Sequence, residues 1–240
     1  MKATDLISKI LTKTGSAREQ AITDVISQPN AIPDFLTHFA VVEVTLGSDT
    51  LQYFVSKEYF SVGEDDDYLV TPVFPLTLKP LLLKMNCSLP TPKMVDQIYQ
   101  HAQIKIPAHP QQAHPGESMT GTRLYLEIDK AIKKERAKLG AGLDALVAGH
   151  KKDVVLTNTL TNPANKGHIA IYGWFYANGT KIQGLNPKDH SISYVDYSHG
   201  FRLVSNACKL NDNETTLQAI WNDPKLCHLI HDEPLRFQSY

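Results

Sequence analysis

The sequence predicts an α+β fold: N-terminal helices, a β-hairpin, central helices and a C-terminal, mostly antiparallel sheet. Three observations carry that reading. Apolar residues recur at helical spacing in residues 1–28, 75–103 and 124–139. They alternate with period two across residues 40–55, around a Gly-Ser-Asp turn. From Ile169 onward, β-branched and aromatic residues dominate. Helical runs kept apart from strand runs are the α+β pattern, since βα alternation would give a parallel sheet instead.

In order along the chain, Thr4 and Asp5 stand where they can cap Leu6, Ile7, Ile10 and Leu11. Ser16 and Glu19 have capping-box spacing ahead of Ala21, Ile22, Val25 and Ile26. Pro29 and Pro33 end the helical pattern, so residues 1–38 read as an N-terminal helical arm and 39–240 as a single α+β domain. Ala40–Leu46 and Leu51–Val55 form the hairpin. Tyr59–Val62 and Tyr68–Thr71 flank an acidic Gly63–Asp67 turn, whose spacing departs from that of calcium-binding loops and predicts a solvated turn. Helices follow at Pro75–Asn86 and from Pro92 to about Gln103. The proline-rich stretch 105–118 reads as a surface loop or internal linker. Leu124–Leu139 is a further helix, with Lys130, Lys133, Lys134, Glu135, Arg136 and Lys138 as its solvated face. Asp153–Leu156 and Ile169–Tyr176 are strands, and Asn178-Gly179 turns the chain back through Thr180–Leu185. Ser191–Tyr197 and Phe201–Val204 are expected as strands bent at Ser198-His199-Gly200. Leu217–Ile220 and Leu226–Ile230 close the chain as short helices.

The 240 residues suffice for a real core, and 42% hydrophobic with 20% charged residues is ordinary for a globular protein. The formal net charge of −1 provides no field for nucleic acid or an anionic membrane, so neither is an expected partner. No apolar run approaches the roughly 20 residues that span a bilayer. The N-terminus carries no signal-peptide pattern, which makes a cytoplasmic location the default, with export by a route lacking a cleaved signal left open. Cys87, Cys208 and Cys227 are widely spaced and unpaired in pattern, which argues against a disulfide framework. The oligomeric state is not legible.

Chemistry concentrates between His190 and Arg202. Tyr194, Asp196, Tyr197, Ser198, His199 and Arg202 crowd there, more proton-handling groups than a core segment needs. A bend at Ser198-His199-Gly200 would let the Asp196 carboxylate orient the His199 imidazole, the role an acid plays beside a catalytic base. Cys87 is the candidate nucleophile. His190 is a candidate metal ligand with His150 and His199, zinc being the candidate ion, although no spaced His pair marks such a site. Ser198 as nucleophile ranks last, for want of a nucleophile elbow. Gly149-His150-Lys151-Lys152-Asp153 leads into a strand and can hold an anion, with Lys152 or Arg202 as the clamp. Trp174, Phe175, Tyr176, Tyr194 and Tyr197 can line a groove for a flat sugar or a peptide.

These segments also carry a resemblance. Ile171-Tyr172-Gly173-Trp174, then Gly179, Ile182-Gln183 and Leu185, then Tyr194-Val195-Asp196-Tyr197-Ser198-His199-Gly200 with Arg202-Leu203-Val204, resemble an uncharacterised bacterial protein family. That family pairs an I-Y-G-W strand with a Y-x-D-Y-S-H-G-x-R-L motif. Asn86–Thr91 with Lys93–Asp96, and Gly149–Val155, are similar to the same family. The resemblance implies no reaction, and Phe175 stands where the family pattern has histidine.

The reading that follows is a hydrolase, cysteine-type or metal-dependent, acting on a peptide, amide or glycan, with the bacterial cell envelope as a guessed setting. His199 and Asp196 are its centre and Cys87 its nucleophile. Tyr194, Tyr197, Ser198, Arg202, His150, Lys152, Asp153 and Trp174 are its substrate contacts. The alternative is a non-catalytic binding or structural module that recognises a polysaccharide or a protein partner.

Overall fold

A computed structural model describes all 240 residues. The N-terminal pattern gives two helices, α1 (Ala3–Ile10) and α2 (Gly15–Ile26). They are no detached arm. Ala3, Leu6, Ile10, Ile22 and Val25 belong to the same buried core as Val42, Leu51, Val55 and Leu203. Fully burying one such side chain is worth about 1.5–3 kcal/mol, so the helices are integral to the fold. The expected capping box is absent: α2 starts at Gly15 after Thr14, with no side-chain cap. Glu19 instead turns inward and accepts from Phe74 N and Thr77 Oγ1 at 2.9 and 2.8 Å.

The hairpin forms as β1 (Ala40–Leu46) and β2 (Asp49–Val55), in register from Ala40–Val55 to Leu46–Asp49. β3 (Ser61–Glu64) and β4 (Asp67–Val70) pair across the acidic turn. There Asp67 accepts from Thr4 N and Oγ1, and Asp65 from Phe35 N. α3 (Pro75–Lys84) contains Pro80 and buries only Pro75 and Leu78 fully. β5 (Cys87–Ser88), α4 (Pro92–His101) and β6 (Ile104–Lys105) follow, then the expected irregular loop and α5 (Thr122–Lys138).

Two main sheets organise the rest. In the first, β1 and β2 continue into β12 (Val204–Leu210) and β13 (Asn213–Thr216), and β5 also pairs with β12. The second runs β10 (Lys181–Ser191), β9 (His168–Phe175), β8 (Lys152–Val155), β11 (His199–Gly200). It is antiparallel apart from the β8–β11 pair, where Lys152 aligns with His199 and Asp153 with Gly200. β6 and β7 (Val147–Ala148) form a separate short pair, and α6 (Leu217–Asn222) packs on the first sheet. No helix is long and apolar enough to cross a membrane.

Three expectations are corrected. Residues 192–198 form turns rather than a strand, and β10 extends to Ser191 instead. The β12–β13 hairpin was not foreseen. Its two-residue loop, Asn211-Asp212, has φ of 49° and 63°, the left-handed pair that a tight hairpin turn requires. Arg136, expected on a solvated helix face, is buried and ion-paired to Glu58 at 2.9 Å.

Candidate active site

His199 sits on β11, the two-residue strand that docks on the free edge of β8. The preceding turn closes by His199 N donating to Asp196 O at 3.2 Å, and Lys152 N donates to Ser198 O at 2.7 Å. Gly200 is required for contact rather than for backbone freedom. A Cβ there would lie 2.6 Å from the Tyr59 ring and 2.7 Å from Lys151 Cβ. The segment thus bends where the sequence predicts, held by packing against Tyr59.

The bend brings three sequence-predicted residues together. One ring nitrogen each of His190 and His199 and one Asp196 oxygen lie within 4.8 Å of one another, a set that could hold a metal ion. His190 comes from the end of β10 and stacks on Tyr194, centroids 4.7 Å apart. Both half-buried rings cover His199, at 5.0 and 6.2 Å. Lys152 completes the neighbourhood, its Nζ 4.7 Å from the Trp174 ring. Trp174 itself has φ of 62°, rare for so bulky a residue, beside Gly173 at 90°.

Asp196 does not orient His199 in the expected way. Its backbone N–H, not its carboxylate, donates to His199 Nδ1 at 3.0 Å. The carboxylate accepts from Ser198 N at 2.8 Å and Ser198 Oγ at 2.5 Å. Ser198 is therefore committed as a donor to Asp196. Because Nδ1 accepts, the neutral ring carries its proton on Nε2, an assignment that follows from the hydrogen-bond geometry. That Nε2 is buried and has no partner.

Burial pushes the His199 imidazole down to about 4, although Asp196 pulls the other way, so the ring is neutral near pH 7. Burial opposes ionisation of Asp196 too. His199, the Ser198 bonds and the Lys152 charge outweigh it and hold the carboxyl below its ordinary value. His190 is lowered, burial outweighing Asp196, which leaves it an unprotonated base at neutral pH.

The other predicted residues lie elsewhere or serve the scaffold. Cys87 is on β5 in the other sheet, where its thiol donates to Met85 O at 3.4 Å and burial pushes it up to about 12. A catalytic thiol needs a depressed pKa and a base within reach, and Cys87 has neither. Cys87→Ala should leave any hydrolytic kcat/KM within about twofold of wild type, while His199 variants lose it. His150 is not in the histidine cluster. Its Nε2 donates to Glu58 Oε1 at 2.9 Å in a fully buried network. Arg202 is no anion clamp, since it donates to Ser56 O and Val147 O and lies over the Tyr59 ring. Tyr197 OH bonds the Gln111 backbone, and its ring packs on Trp174. Phe175 stacks on Tyr99, centroids 3.8 Å apart, a core contact rather than a groove wall.

Asp153 is buried and accepts from Tyr59 OH at 2.9 Å. Burial, only partly offset by Arg202 and that bond, raises it to about 7. A carboxyl raised on folding binds its proton more tightly in the native state. Stability therefore falls as pH rises from the ordinary carboxylate range to about 7 and levels off above. Asp153→Asn should remove that slope and raise the unfolding midpoint at pH 8 more than at pH 5. Parallel pH profiles of the two proteins would refute this.

Sequence reasoning passed over Lys151, Glu58 and Tyr59. Lys151 is buried and donates to Tyr197 O at 2.5 Å, holding the Asp196–His199 turn from below. The one available signal was a glutamate inside the apolar run from Val55 to Val62. Compared with known protein families, curated proteins and solved structures, the chain matches none.

Proposed function

We propose that the chain is a hydrolase of a peptide or amide bond, with His190 as general base and His199 as a neutral hydrogen-bond donor. The observation that supports this reading is the unpartnered His199 Nε2–H, fully buried beside His190, Asp196 and Lys152. A preorganised donor in a water-poor site is what a developing oxyanion needs. His190 takes a proton from water as the oxygen adds to the carbonyl carbon. The oxyanion is met by His199 Nε2–H and the Lys152 ammonium. Collapse then breaks the C–N bond, and the His190 imidazolium protonates the departing amine.

This assignment places the basic limb on His190. Amide hydrolysis should fall on the acid side, with an apparent pKa below the ordinary 6.5 of histidine. The test is amine release from a panel of peptides and N-acyl amides by wild type and by His190→Ala. Turnover by wild type that does not exceed the variant's across the panel sinks the reading.

The convergence of two imidazoles and a carboxylate favours a second reading, a divalent-metal hydrolase. It asks more of the turn. A ligating histidine normally donates its other ring N–H, whereas His199 Nδ1 faces the Asp196 N–H. Ligation through Nε2 therefore requires the proton to move to Nδ1 and the Asp196 amide to turn away. Zinc titration by calorimetry decides between the readings. Submicromolar binding lost in His190→Ala, Asp196→Ala and His199→Ala would replace the acid–base mechanism with the metal one.

A further inference from the structure

Away from the histidine cluster, a cavity of ≈ 320 Å³ opens between α3, the β5–β12 edge and α6. That is at the small end of the range found for ligand pockets, about 300–1,000 Å³. Its roof is an unusual helix. α3 is interrupted by Pro80 and leaves Leu83 73% exposed at the cavity edge. Its floor is apolar, with Leu89, Leu156 and Trp221. The polar features are one-sided. Lys79 is the sole charged residue of the lining, and no aspartate or glutamate contributes to it. Lys79 Nζ donates to the Tyr240 carbonyl at 2.6 Å, which leaves two of its three N–H bonds free for another acceptor. Trp221, in the wall, has an indole Nε1–H with no acceptor at all. The Cys87 thiol nearby is neutral and adds no opposing charge.

Unsatisfied donors, one cation and an apolar floor together select an oxygen acceptor on an apolar body. A cationic amphiphile would meet Lys79 with nothing to neutralise either charge. We propose that this cavity binds a medium-chain acyl carboxylate, its chain against Leu89 and Leu156 under α3 and its carboxylate at Lys79. The site is separate from the proposed catalytic one, which lies on the other sheet.

The test is calorimetric titration of the full chain with sodium decanoate below its micellar concentration, with decylamine as the control of opposite charge. The expected result is saturable binding of one decanoate per chain and none of decylamine. Lys79→Glu should weaken decanoate at least tenfold. Leu82→Trp, which fills the cavity from a half-buried roof position, should abolish binding. Should Leu82→Trp fail to fold, the Lys79→Glu comparison and the decylamine control still decide. Absence of saturable decanoate binding, equal binding of decylamine, or an unchanged affinity in Lys79→Glu overturns the proposal.

Discussion

Glu58→Leu is expected to cost the fold about 3–5 kcal/mol, because it strands a buried guanidinium without its carboxylate. Glu58 Oε2 accepts from Arg136 Nη1 at 2.9 Å, and Oε1 accepts from His150 Nε2 at 2.9 Å and Tyr59 N at 2.8 Å. All four partners are buried, so water cannot replace the lost bonds. Burial opposes ionisation of Glu58, but His150, Arg136 and Arg202 outweigh it and hold the carboxyl at about 2. Burial also depresses His150, so the standing positive charge comes from the guanidiniums. A carboxyl lowered on folding contributes stability that is complete above its ordinary value and lost as pH falls through about 2. Urea midpoints at pH 7 measure the first effect, and Glu58→Gln separates charge from shape. A loss below about 1 kcal/mol for Glu58→Leu would mean that the cluster rearranges freely.

The second large effect is catalytic. His199→Ala should lower kcat/KM for an amide substrate about 10²–10³-fold, the usual cost of removing one oxyanion donor. The loss should appear in kcat rather than KM, since the donor is used where charge develops. Near-UV circular dichroism and the unfolding midpoint check that the turn still forms. A loss smaller than tenfold in a folded variant would remove His199 from the mechanism.

Legibility tracked how local the signal was. The hairpin of β1 and β2 was readable because one buried face imposes period two and Gly47 marks its turn. The hairpin of β12 and β13 was not, because Ser205–Thr216 is largely polar and half-exposed, with no apolar alternation to announce it. Polar crowding near His199 did point to the right stretch. The hydrogen-bond roles within it depended on a turn whose shape is set by Tyr59 and Lys151, far away in sequence. Arg202, His150 and Arg136 looked functional or solvated because their type suggests it. Their burial comes from partners at Ser56, Val147 and Glu58 that no local pattern discloses.

The β8–β11 pairing also dictates an order of assembly. Parallel neighbours cannot be joined by a tight turn, and here the connection from Val155 to His199 contains the whole of β9 and β10. Closing so long a loop for a two-residue strand brings little return until its neighbours are in place. The three-stranded meander of β8, β9 and β10 should therefore form first, and His199 should dock onto its open edge in the slowest step. In pulse-labelled refolding, amide protection at His199 would lag that of Ile171. Catalytic competence would return with the later phase, after most secondary structure is complete.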